Sequence, residues 1–139
     1  MKVVLDSNIY VSAFCFDRDP ETVINLGMAG KFKVYSSLYI IHEVRTVLSQ
    51  KLKMSERFTS LAAERIERYS TVVPVRGSIR GPIPTDPSDG PIVKTCLASK
   101  ADFLVTRDKQ LSRLPIRGMK SFNAAQFLNY LEMHGIIGS

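Results

Sequence analysis

Four carboxylates stand where apolar segments of this chain end or turn. Asp6 follows Val3-Val4-Leu5, and Asp108 follows Phe103-Leu104-Val105 with Thr106 and Arg107 between. Asp89 lies in Asp86-Pro87-Ser88-Asp89-Gly90-Pro91, where a loop gives way to a helical pattern, and Glu43 lies among Ile40, Ile41 and Val44 in another helical stretch. Taken singly, each has an ordinary role. Asp6, Asp89 and Asp108 suit helix or turn capping, Asp86 a cap or an Asx turn, and Glu43 a solvated helix face. Taken together at one edge of a sheet, four acids would repel one another unless a cation neutralised them. All-oxygen ligation selects a hard ion, Mg²⁺ or Mn²⁺. One such ion can hold a phosphodiester and lower the pKa of a water, and two, about 3.5–4 Å apart, can serve both ends of an in-line displacement. The uncharged neighbours Ser7, Asn8 and Thr106 suit hydrogen bonds that orient those carboxylates, or the capping of the turns that follow.

The elements that must position these acids are legible as an alternation. Val3–Leu5, Phe32–Tyr35, Thr71–Val75, Asp102–Thr106 and Met119–Phe122 are short apolar runs that predict strands. Between them, helices are predicted over Ile9–Phe16, from Pro20 to Met28, over Leu38–Leu52 behind a Ser37 cap, from Ser55 to about Tyr69, over Ile92–Ser99, and after an Asn123 cap. Leu38, Ile41, Val44 or Arg45, and Leu48 predict the inner face of the third helix, and Leu61, Ala62, Ile66 and Tyr69 that of the fourth. Residues 76–90 are expected to form the one long loop, and the tail from Gly135 is expected to fray. Strands that are apolar throughout, alternating with helices, predict a three-layer α/β/α sandwich with a mostly parallel sheet of four to five strands. In such a sheet ligands bind at the carboxyl ends of the strands, where Asp6 and Asp108 fall.

The chain has 139 residues, one domain on length, with 45% hydrophobic and 23% charged residues. Cys15 and Cys96 are expected to be buried free thiols in a reducing, cytoplasmic compartment. No apolar run reaches the length of a membrane span, and the start of the chain lacks the pattern of a secretory leader. The net charge of +6 favours a polyanionic partner. Arg80, Arg107, Lys109 and Arg113 lie close in sequence to Asp89 and Asp108 and are expected to touch a nucleic-acid backbone. His42 and His134 have no partner at metal spacing and read as helix residues. Position 8 is Asn, where an aspartyl-nucleophile phosphatase would want a second Asp, and no phosphate loop ending in Lys-Ser or Lys-Thr is present.

These residues carry a resemblance. Val4-Leu5-Asp6-Ser7-Asn8, the helix from Ser36 to Leu48 with Glu43 inside it, Asp86-Pro87-Ser88-Asp89 with Ile92-Val93 and Ala98, and Ala101-Asp102-Phe103-Leu104-Val105-Thr106-Arg107-Asp108 with Leu111 together resemble the acidic motifs of PIN domains. The similarity extends over essentially the whole chain. It is nearest to the small stand-alone toxin branch related to VapC-type ribonuclease toxins. It implies an endoribonuclease with one or two Mg²⁺ or Mn²⁺ ions held by Asp6, Glu43, Asp89 and Asp108, with Asp86 as a less regular fifth acid. It further implies a toxin inhibited by a small antitoxin protein, and a homodimer, for which Phe58, Tyr69 and Tyr130 are expected to be exposed. Arg107 departs from the small residue common there, and its charge would stand in for a second ion or touch substrate phosphate. Two other readings stay open: a catalytically silent RNA- or partner-binding module, and a structure-specific DNA nuclease, which would usually carry helical insertions that this chain lacks.

Overall fold

The computed structural model describes residues 1–75, 90–113, 116 and 118–138. Strand β1 (Lys2–Leu5) leads into helices α1 (Ser7–Phe14) and α2 (Arg18–Met28), then β2 (Lys33–Ser36). Helix α3 (Leu38–Thr46) loosens into a π-helical turn over Val47–Lys51 and is followed by α4 (Glu56–Tyr69) and the short β3 (Thr71–Val72). Then come α5 (Gly90–Ser99), β4 (Phe103–Val105), α6 (Lys109–Ser112), β5 (Lys120–Phe122) and α7 (Ala124–Met133). The five strands form one sheet in the order β3-β2-β1-β4-β5, and every pair is parallel. The predicted α/β fold is the observed one.

The reason lies in the strand composition. Val3, Val4, Leu5, Leu104 and Val105 are all at most 1% exposed. A strand with no solvated side requires cover on both faces, which parallel crossover connections supply. On one face α2 and α7 pack together: Gly27 of α2 brings its backbone against Val34 and Phe32, and Phe127 of α7 meets Phe32 edge-on with ring centroids 5.2 Å apart. Phe127 also lies 5.9 Å from Phe103 and 6.2 Å from Phe122, so one ring joins β4, β5 and the turn into β2. The predicted caps of Ser37, Ser55 and Asn123 form, and Asn123 with Gln126 completes a capping box.

Several sequence expectations are corrected by packing. Leu38, Leu61 and Tyr69, predicted to face inward, are 68%, 50% and 44% exposed; α4 instead buries Thr59, Ala62, Ala63 and Ile66. Cys15 follows α1 at the surface and is exposed, whereas Cys96 is buried as expected. The tail does not fray after Gly135: Ile136 and Ile137 donate backbone hydrogen bonds to Leu131 and pack against the core. Phe58 and Tyr130 are half-buried against the core, Tyr130 lying 4.8 Å from the Phe103 ring, so of the three expected surface rings Tyr69 alone is exposed.

Candidate active site

Reading outward from the centre of the sheet, β1 connects to β2 on one side and pairs with β4 on the other, so the direction of winding reverses between β1 and β4. That reversal opens a crevice at the carboxyl ends of the two strands. Asp6 and Thr106, the residues immediately after β1 and β4, both stand at it. Their backbones extend the ladder, Asp6 N–H donating to Val105 at 2.9 Å and Thr106 N–H to Phe122 at 2.9 Å. Neither side chain is therefore free to swing with a loop.

Asp6 is the centre of the arrangement. It is 4% exposed and caps α1, its Oδ1 accepting from Ser7 N–H at 2.8 Å. Its Oδ2 accepts from the Thr106 hydroxyl at 2.7 Å and from Asn8 Nδ2 at 3.1 Å. The capping role expected of Asp6 and the clustered role thus coincide: the cap orients the carboxylate. Thr106 Oγ1 in turn accepts from Asp108 N–H at 3.0 Å, and Asn8 Oδ1 accepts from Arg107 N–H at 3.2 Å. Asp108 itself caps the short α6 through Gln110 N–H at 2.8 Å. Glu43 arrives from α3, its Oε1 accepting from the Ser7 hydroxyl. Asp6, Glu43 and Asp108 are thereby brought to one edge, where Ser7, Asn8 and Thr106 hydrogen-bond to the Asp6 carboxylate and Ser7 also to Glu43. Asp86, Asp89 and Arg80 lie outside the described residues.

Burial pushes the Asp6 carboxyl up to about 6; hydrogen bonds from Thr106 and Ser7 pull it down, and the charges of Glu43 and Asp108 raise it further. Behind it, burial and then the Asp6 charge push the Cys96 thiol up to about 12, so Cys96 is an inert wall. Among the described residues no lysine or arginine pairs with Asp6. The guanidinium of Arg107 is turned to α1 instead, Nη1 donating to Ser12 Oγ at 2.7 Å. Lys109 and Arg113 are exposed on and just after α6.

A desolvated carboxylate flanked by two further carboxylates and by hydroxyl oxygens suits a hard divalent cation. Among the described residues no three His, Cys, Asp or Glu side chains converge closely enough to ligate one ion by themselves. The donors fit the ion in kind, and Asp6 with its neighbours forms one part of such a ligand set. Two links escaped sequence reasoning. Thr95 donates to Ser37 at 2.8 Å, fastening the start of α3 to α5 inside the core, and Ser12 holds Arg107. Both join residues far apart in the chain, and no local pattern announces them.

Residues 2–110 match the PIN domain family. The fold is similar to a chain in the crystal structure of VapBC2 from Rickettsia felis bound to a DNA fragment from their promoter, with a TM-score of 0.63 and 17% sequence identity over 88% of this chain and 98% of that one. No curated protein matches the sequence. Among the described residues no helix is long and apolar enough to cross a membrane.

Proposed function

The chain belongs to the PIN domain family, and from that premise we propose that it is a metal-dependent endoribonuclease whose site contains Asp6, Glu43 and Asp108, completed by Asp89. The observation that carries the reading is Asp6: buried, unpaired with any cation among the described residues, and yet held by donors from three residues at the sheet's switch point. A carboxylate kept in so costly a setting fits a group that binds a cation in the working state. Mg²⁺ or Mn²⁺ held there would neutralise charge on a phosphodiester and supply a more acidic water. The chain's own residues provide the geometry. Thr106 and Asn8 fix both the angle of the Asp6 carboxylate and the loop that carries Asp108. Ser7 fixes Glu43 opposite, and Lys109 and Arg113 offer positive charge beside the crevice for the substrate backbone.

The partner reading follows the same likeness. We propose the toxin role of a toxin–antitoxin pair, with a small antitoxin protein as inhibitor. Support comes from the fold shared with a chain of VapBC2 and from an open groove of about 460 Å³ lined by Phe14, Phe58, Leu61, Ala62, Glu64, Arg65 and Arg68.

The test is cleavage of labelled single-stranded RNA in Mn²⁺ and in EDTA, beside Asp6→Asn. Metal-dependent cutting that vanishes in a folded variant supports the nuclease. Equal RNA binding without cutting by either protein would favour the silent module, and cutting of flap DNA but not RNA would favour the DNA nuclease.

A further inference from the structure

The sheet has a second edge, and its chemistry is opposite to the first. At the amino ends of four adjacent strands stand Lys33 on β2 with Lys31 in the turn before it, Lys2 on β1, Lys100 in the turn before β4, and Lys120 on β5. Strands about 4.8 Å apart make this a row about 14 Å wide, separated from Asp6 by the length of β1, about 13 Å. Lys31, Lys33, Lys100 and Lys120 are exposed and Lys2 is half-buried. The one acid in these strand starts and turns is Asp102, and its Oδ2 accepts from Lys2 N–H at 2.8 Å. Among the described residues none of the five ammonium groups has a carboxylate partner.

One feature sets this row apart from ordinary solvated lysines. The register makes Lys2 and Lys33 direct partners across β1 and β2, an unfavourable like-charge pairing, while Lys2 Nζ is held 5.9 Å from the centroid of the Tyr35 ring. Lys100 sits just past α5 at φ 54°, the left-handed position that closes a helix, and that turn sets it just before the start of β4.

We propose that this amino edge is a second nucleic-acid surface, which binds the phosphate backbone of a folded RNA while another part of that RNA reaches the carboxyl edge. Five lysines across four strands present several charges to successive phosphates, and they offer no apolar or hydrogen-bonding pattern that would read bases. A strand just long enough to fill the crevice at Asp6 does not reach this edge; a longer, folded RNA does.

The inference takes RNA as substrate from the proposed function, but it is read by binding and so fails separately. Lys31, Lys33 and Lys100 are changed together to Gln in the Asp6→Asn background. Affinity for a folded RNA and for a short oligonucleotide is then followed by fluorescence anisotropy across a salt series. We expect at least tenfold weaker binding of the folded RNA, a salt slope lower by about three, and unchanged binding of the short one. A control replaces Lys51, Lys53 and Arg57, three exposed cations at the junction of α3 and α4 that are assigned no role. Equal loss in the control, or an unchanged slope in the lysine variant, overturns the proposal, as does a row that binds anionic vesicles but not RNA. Unfolding midpoints verify that both variants fold. Absence of cleavage by the parent protein would sink the nuclease reading and leave this measurement intact.

Discussion

Replacing Asp6 by Asn should make the metal-free protein more stable as pH rises, relative to the parent. An unfolded Asp titrates near 3.8 and the folded one near 6. The folded state therefore holds the proton more tightly. The stability contributed by this group is fully present below pH 3.8 and lost as pH rises through about 6. A gap of that size disfavours the folded parent by about 3 kcal/mol at pH 7 and by less than about 1 kcal/mol near pH 4. Asn cannot ionise, so its stability relative to the parent should swing by about 2 kcal/mol in its favour between those values. The charges of Glu43 and Asp108, which add to the burial, are included in that swing. Asn also has one acceptor oxygen where the carboxylate uses two, for Ser7, Thr106 and Asn8. That loss costs about 1–3 kcal/mol, but equally at each pH, so it moves the difference curve without changing its slope. The assay is urea unfolding of both proteins in EDTA from pH 4 to 7. A difference that stays flat would refute the account of Asp6 as a desolvated carboxylate. Added Mn²⁺ at pH 7 should then stabilise the parent and not the variant, by the linkage of binding to folding.

Four further outcomes follow from named contacts. Thr106→Val removes a donor to Asp6 and an acceptor for Asp108 N–H; cleavage should fall about 10- to 100-fold with KM little changed, and a fall in KM-controlled binding alone would count against this positioning role. Gly27→Ala places a Cβ 2.8 Å from Val34 Cγ2 and 3.2 Å from Phe32; chemical denaturation should show a loss of about 1–2 kcal/mol from overpacking despite the gain in helix propensity. Phe127→Ala empties the ring site shared by β4, β5 and the turn into β2 and should cost about 3–5 kcal/mol, read from the same transition. A maleimide should label Cys15 rapidly and Cys96 only on unfolding, and equal labelling rates in the native protein would contradict the burial of Cys96.

What the sequence determined by itself is the local and the periodic. Val3-Val4-Leu5 and Phe103-Leu104-Val105 had to be strands buried on both sides, because so short and wholly apolar a run has no solvated face to offer. Ser37, Ser55 and Asn123 had to begin helices, because a cap satisfies backbone donors within three residues. The position of Asp6 and Asp108 just past strands β1 and β4 followed from those limits alone. The inner faces of α3 and α4 were less legible. Leu38, Leu61 and Tyr69 keep the helical spacing but lie at the margin of the buried stripe, and only the neighbours a helix meets decide which margin is covered. The exposed Cys15 and the docked Ile136 and Ile137 have the same cause. The tertiary structure alone decided how the site is held: Thr106 reaches Asp6 across 100 positions of sequence, Ser7 reaches Glu43, and Arg107 turns to Ser12. It also decided that five scattered lysines share one edge. Parallel strands all begin at the same end of a sheet, so residues that the chain separates by whole helices are set in a row by the register.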